Sequence, residues 1–181
     1  NDACLVGVDA DNAHFVGATM VGADLTDATL YDADFRRAHL TGATLRSAGM
    51  ANADLTSAVL PNADLTGADL TNAGLRRADL ARATLIGAVL GGADLGTADL
   101  RGADCRAADW RGAELVGADL RHADLRGVNW EGVYLSRCDL SGANFSPVDL
   151  QHAYLSEVFG VPENFNSDPL QTRPRPVTMN T

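Results

Sequence analysis

The sequence contains no lysine, and its 181 residues include only three cysteines, six prolines and 6% aromatic side chains. Its permanent side-chain cations are therefore all Arg, 14 of them against 24 Asp and Glu, for a formal net charge of −10. A compact acidic chain repels phosphate backbones instead of displacing their counterions, so direct binding of nucleic acid is not expected. Cys4, Cys105 and Cys138 are too few and too scattered for a secreted disulfide framework. No apolar run approaches the ~18 residues of a membrane span, and the expected location is the cytoplasm. The first residue, Asn1, is compatible with a removed leader or a larger parent chain.

Motifs for chemistry are missing as well. No nucleophile sits beside a base, and there is no phosphate loop or cofactor fingerprint. His14, His39, His122 and His152 all fall at positions expected to face water, without Cys or carboxylates at zinc-ligand spacing. Asp9, Asp11 and Asn12 lack the glycine and the distant Glu of a calcium loop. The sequence therefore predicts no catalytic residue, no metal and no cofactor.

What the chain does have is a repeat. Every fifth residue from Leu5 to Leu155 is a centre, and 30 of these 31 positions hold a sizeable apolar side chain or Cys, Ala10 being the exception. Most are Leu; Phe15, Phe35, Cys105, Trp110, Trp130 and Phe145 are among the others and are expected core residues. Two positions before each centre stands Ala, replaced only by Val8, Val128, Val133, Cys138 and Val148. Between the two lies most often Asp, as in Ala23-Asp24-Leu25.

Period five suits neither standard element. On a helix it scatters the Leu residues around the axis, and on a flat strand it sends successive ones to opposite faces. A bend in every repeat resolves this: a short extended segment points the small residue and the centre inward, and the chain then turns. The second residue after each centre identifies the turn. It is Gly at 13 of the 31 positions and Asn or Asp at six more, the residues that best tolerate positive φ at the third position of a type II turn. Arg37, Arg77, Arg82 and Arg137 occupy the same position and are expected to mark type I or irregular turns. Pro147 also falls there, where it suits neither type, so a local distortion is expected.

The small–Asp–Leu–x–x pattern over residues 3 to 158 resembles the pentapeptide-repeat family. The resemblance implies an all-β fold: a right-handed quadrilateral parallel β-helix with about eight coils of four repeats. Composition alone does not choose four sides over three. Phe15 with Phe35 and Trp110 with Trp130, each pair 20 residues apart, agree with four. The expected division is a β-helix over 1–158 and a C-terminal cap with a Pro-rich extended tail over 159–181. In it, Phe159, Val161 and Phe165 are read as a plug over the last coil, and Arg173-Pro174-Arg175-Pro176 as a recognition peptide or a loosely held terminus. The open N-terminal end is expected to be covered by residues beyond this sequence, by end-to-end homodimerisation or by a preceding domain.

Charge is distributed unevenly. Residues 1–75 carry ten acidic residues and three Arg, net −7; residues 76–155 carry eleven and nine, net −2. On four faces Asp79, Asp99, Asp119 and Asp139 would form a column with neighbours ~4.8 Å apart. Arg101 and Arg121 stand two residues beyond Asp99 and Asp119 to offset the repulsion, and bonds to turn N–H groups are the ordinary role of such Asp residues. Asp24, Asp27, Asp32, Asp34, Asp54 and Asp64 form the acidic block. Several quinolone-resistance members of the family bind DNA gyrase as acidic rods imitating duplex DNA. The resemblance therefore implies a protein partner such as DNA gyrase or topoisomerase IV, met by these ten carboxylates. Against it stand the Pro-rich tail, in place of a dimerisation helix, and repeats poorer in Phe than those relatives have. The rival is a rigid scaffold or targeting module with a different protein partner.

Overall fold

The computed structural model describes residues 1–161. The expected plug residue Phe165 and the Arg173–Pro176 stretch lie outside the described residues. Period five is realised as a turn in every repeat. The N–H three residues after a centre donates to the centre's carbonyl, as in Ala28 N–H to Leu25 O at 3.1 Å and Ala78 N–H to Leu75 O at 3.0 Å. The residue before each centre pairs in parallel with the residue 20 later, from Cys4 with Asp24 to Asp139 with Phe159. Four five-residue repeats thus complete one coil, and the chain is a β-helix solenoid.

Each repeat binds its neighbours along the axis through its main chain. Asp24 N–H donates back to Ala3 O at 2.8 Å, while Leu25 N–H donates forward to Thr44 O at 2.7 Å. Gly22 N–H at the corner adds a forward bond to Thr41 O at 3.0 Å. Pairing two residues per repeat and turning through the others leaves no long strand, only stacked one-residue bridges. The axis is filled by the centres and the Ala residues before them. Leu25, Leu65, Leu100 and their equivalents between Ala23 and Leu140 are buried, and no polar or charged residue is buried with them. Phe35, Cys105, Trp110 and Trp130 lie in this core, whereas Phe15 and Phe145, nearer the ends, are partly buried against it. The pairs 20 apart meet: the Phe15 and Phe35 rings stack at 4.7 Å, and Trp110 meets Trp130 edge-on at 5.4 Å.

Two expectations need correction. Arg37, Arg77, Arg82 and Arg137 do not switch turn type: their φ values, 57–60°, are left-handed like those of the glycines. Ser47, Ser57, Thr97, Ala107, His122 and Glu157 share that conformation. The axial bonds on both sides of each corner fix the path of the chain, and the residue at the corner accepts it at a cost of ~1–2 kcal/mol. Phe159, in turn, does not plug the end. It sits in the outward position before a repeat centre, holds the register through its bridge to Asp139, and is 61% exposed. Val158 and Val161 pack against the core instead. The distortion expected at Pro147 is present as a 3-10 helix, Pro147–His152, after which Tyr154 regains the register opposite Tyr134.

Candidate functional site

The bridges sort the outward residues into four columns. One runs His39, Val59, Asp79, Asp99, Asp119, Asp139, Phe159, so the four expected column carboxylates are neighbours. Asp24 and Asp64 share a second column with Thr44 between them; Asp34 and Asp54 are adjacent in a third. Asp27 and Asp32 stand at two successive corners with φ of 56° and 57°. The acidic block is therefore wrapped around the first coils, not gathered on one face.

Almost every column Asp uses Oδ1 to accept the N–H two residues on, across the corner, as in Arg101 N–H to Asp99 at 3.0 Å and Thr66 N–H to Asp64 at 3.0 Å. What the next side chain adds differs between the two halves. In Asp24-Leu25-Thr26, Asp64-Leu65-Thr66 and Asp69-Leu70-Thr71 the threonine hydroxyl donates to the same Oδ1 at 2.6 Å. A neutral donor adds no positive charge, so Asp24 and Asp69 stay without an ion pair among the described residues, whereas Asp64 is met from the coil before by Arg46 Nη1 at 3.0 Å. In the Asp-x-Arg repeats the guanidinium grips both oxygens: Arg101 Nε lies 2.8 Å from Asp99 Oδ1, and Arg121 Nη2 lies 2.6 Å from Asp119 Oδ2. Arg36, Arg106, Arg111 and Arg126 hold Asp34, Asp104, Asp109 and Asp124 in the same way.

These arginines also reach the next coil. Arg101 Nε is 3.7 Å from Asp119 and Arg121 Nε is 3.8 Å from Asp139, so like charges one coil apart are interleaved with cations. Exposed pairs of this kind add little stability one by one, because water and salt screen them, but they cancel the field of the column. The carboxyls respond accordingly. The hydrogen bond from Arg36, helped by its charge and opposed by slight burial, lowers the Asp34 pKa to about 2. Arg101 and Arg121 lower Asp99 and Asp119 through the same bond, and the Thr26 hydroxyl lowers Asp24.

Charge density follows from this local chemistry. Five of the six Asp-x-Arg forks lie beyond residue 98, and the fork at Arg36 is the only one among residues 1–75. Asp27 and Asp32 are exposed and make no ion pair among the described residues. The first coils keep their net −7; the later coils are a nearly neutral Asp–Arg lattice.

Several surface features escaped the sequence reading. Tyr134 and Tyr154 stack at 4.7 Å, a contact their spacing of 20 residues would have disclosed. Tyr31 leans over Gly49, where an added Cβ would lie 2.8 Å from its hydroxyl. Cys105 and Cys138 face the core as free thiols. Burial pushes the Cys105 thiol up and Cys138 up to about 12, so neither is poised as a nucleophile. Among the described residues no group of three His, Cys, Asp or Glu is placed to hold a metal ion. No helix there is long and apolar enough to cross a membrane.

The chain matches the family described as "Pentapeptide repeats" in eight copies spanning residues 3 to 156. No curated protein sequence matches it significantly. Among solved structures it is similar to a trypsin-treated variant of QnrB1, a plasmid-mediated fluoroquinolone resistance protein. That match has 21% identity, covers 94% of this chain and 87% of QnrB1, and has a TM-score of 0.53. It is also similar to HetL from the cyanobacterium Nostoc sp. strain PCC 7120, a pentapeptide repeat protein involved in heterocyst differentiation regulation. There the identity is 27%, with 84% of this chain and 87% of HetL covered and a TM-score of 0.38. A third similar structure, alr5209 from Nostoc, is 38% identical over 61% of this chain and 84% of its own, with a TM-score of 0.31. A five-residue repeat, a twenty-residue coil and eight matched copies lead to one conclusion: the chain belongs to the pentapeptide-repeat family.

Proposed function

We propose that the protein is a non-enzymatic, right-handed quadrilateral solenoid that binds a type II topoisomerase, DNA gyrase or topoisomerase IV, in the cytoplasm by imitating duplex DNA. The first coils, those of residues 1–75, make the contact. The reading rests on one observation, the uneven neutralisation of the Asp columns. At ~4.8 Å per coil these residues span ~18 Å, a length over which B-DNA carries ~11 charges. They present a net −7, whereas residues 76–155, of nearly equal length, present −2. The first part is a fair electrostatic likeness of a duplex and the second is not. The named target comes from the resemblance to gyrase-binding members of the family, and the fold shared with QnrB1, a fluoroquinolone resistance protein, is in keeping with it. In this reading residues 1–158 are the binding rod and 159–181 its C-terminal cap and tail.

The test is inhibition of gyrase supercoiling by the purified chain, compared with Asp27→Arg/Asp32→Arg. Arg already occupies equivalent corners at 37, 77 and 82, so the variant keeps its fold. Inhibition should weaken at least tenfold and lose most of its salt dependence. Inhibition equal to the parent's would remove the acidic-coil mechanism. A scaffold role with another protein partner is favoured by one fact, the unbroken register from Cys4 to Asn144 with the nearly neutral Asp–Arg lattice of its later coils. Partner capture without topoisomerase would support it.

A further inference from the structure

Nine of the twelve arginines among the described residues are paired with a carboxylate. Arg37, Arg77 and Arg82 make no ion pair there. Two of these three stand on one corner of the solenoid. Arg37, Ser57 and Arg77 follow one another at intervals of 20 residues, each at the second position after a centre and with φ of 57–59°. Two coil rises, ~10 Å, separate the arginines. Both are exposed, while Ser57 and its neighbour Thr56 are half-buried between them. Long side chains therefore flank a notch floored by short ones.

The floor of the notch is a donor surface. Thr26, Thr66 and Thr71 donate their hydroxyls to the Asp two residues before, whereas Thr56 gives Asp54 its N–H alone, at 2.9 Å. The Thr56 and Ser57 hydroxyls are thus uncommitted among the described residues. Corner side chains lean onto the coil that follows: an added Cβ on Gly67 would lie 3.7 Å from Ser47 Oγ, and one on Gly102 would lie 3.6 Å from Arg82 Cγ. The same lean carries Arg37 over Ser57, and both toward Arg77. The surrounding carboxylates are engaged elsewhere. Arg36 grips Asp34 and lies 3.7 Å from Asp54, Arg76 lies 3.2 Å from Asp94, and Asp79 accepts Ala81 N–H at 3.1 Å across the next corner.

Two unpaired guanidinium groups with free hydroxyls between them suit an oxyanion. A planar carboxylate is satisfied by one guanidinium fork, as Asp99 is by Arg101. A tetrahedral phosphate monoester has three terminal oxygens and nearly two charges, and it can accept from Arg37, Ser57 and Arg77 together. The chain's net charge turns away a long polyanion, but a single compact group needs only this local patch. We propose that the corner formed by Arg37, Ser57 and Arg77 is a binding site for a phosphate monoester, carried by a phosphorylated side chain or by a mononucleotide. The site is independent of topoisomerase binding, since Asp27 and Asp32 occupy the two preceding corners.

The experiment titrates the full chain with inorganic phosphate, acetyl-phosphoserine amide and adenosine monophosphate, following the Arg Nε–Hε signals in 1H–15N spectra. The Arg37 and Arg77 signals should shift to saturation. Those of Arg101 and Arg121, already closed on Asp99 and Asp119, should stay fixed. Arg37→Ser/Arg77→Ser should weaken phosphate binding at least tenfold. Serine stands at the equivalent corners 47 and 57, so this variant should keep the parent's circular dichroism. Ser57→Asp keeps both arginines, fills the notch with a carboxylate of the chain's own, and should weaken binding as much. Tighter binding of acetyl-phosphoserine amide than of adenosine monophosphate would assign the site to a phosphorylated side chain, and the reverse order to a nucleotide. Equal shifts at all arginines would overturn the proposal, as would undiminished phosphate binding by the double variant. Succinate binding as tightly as phosphate would also overturn it, by assigning the corner to carboxylates.

Discussion

Replacing Thr97 by Gly should stabilise the protein, although it deletes a side chain. Thr97 is a β-branched residue held at φ 56°, with its N–H donated to Val116 O at 2.8 Å. That axial bond, repeated on both sides of the corner, forbids relief by a change of turn type. The left-handed conformation costs a Cβ-bearing residue ~1–2 kcal/mol, and glycine returns ~0.5–1 kcal/mol of this through the freedom of its unfolded chain. The side chain is exposed, one coil from Gly117, whose added Cβ would lie 3.3 Å from Thr97 Cγ2, so little packing is lost. The net expectation is a gain of about 0.5–1 kcal/mol, or ~2 °C in Tm at this chain length. Thermal and urea unfolding of Thr97→Gly, with Thr97→Asn as an intermediate, measure it. Gly117→Ala is the mirror experiment, since it places a Cβ at φ 72° against Thr97, and it should destabilise by a similar amount. A less stable Thr97→Gly would refute the claim that the solenoid imposes its corners regardless of sequence.

Three further outcomes follow from the same geometry. Leu70→Ala empties a fully buried centre between two coils and should cost ~2–5 kcal/mol in chemical denaturation. Gly160→Ala would drive a Cβ into the Ser141 backbone nitrogen; the segment Val158 to Val161 should lose amide protection while Leu65 and Leu100 keep theirs. For pH, Asp34 and the forked Asp99, Asp104, Asp109, Asp119 and Asp124 all have folded-state pKa values below the ordinary carboxylate value. Their contribution is complete above the unfolded value near ~4 and is lost as pH falls through the folded values. Tm should therefore be flat above about pH 5 and drop between about pH 4 and about pH 2.

The architecture was legible because the inward positions obey one rule. A side chain at every fifth residue has nowhere to go but the axis, while the four repeats of a coil came from the family resemblance, with which the pairs Phe15–Phe35 and Trp110–Trp130 merely agreed. The corners were less legible. Gly, Asn and Asp announced the left-handed turn, but Arg37, Arg77 and Arg82 suggested another one, because local preference is visible in sequence and the axial hydrogen bonds that override it are not. Phe159 misled for a related reason: its hydrophobicity suggested burial, while the register of Asp139 beneath it dictated exposure. The charge pattern was half legible. The two-residue offset between Asp99 and Arg101 was plain, yet its meaning depends on a corner that swings the guanidinium onto both carboxylate oxygens and toward Asp119. Thr in place of Arg, as at Thr26 and Thr71, looks innocuous in sequence and leaves the surface acidic there.

The central functional claim, that the first coils occupy a DNA-binding surface, is tested most directly by competition on purified gyrase. The chain carries a fluorophore at the exposed Cys4 thiol, and unlabelled linear duplex is titrated into the complex. The account requires mutual exclusion: duplex displaces the labelled chain, and raising salt weakens both together. Simultaneous binding of duplex and chain, or no binding to gyrase at any salt, would contradict it.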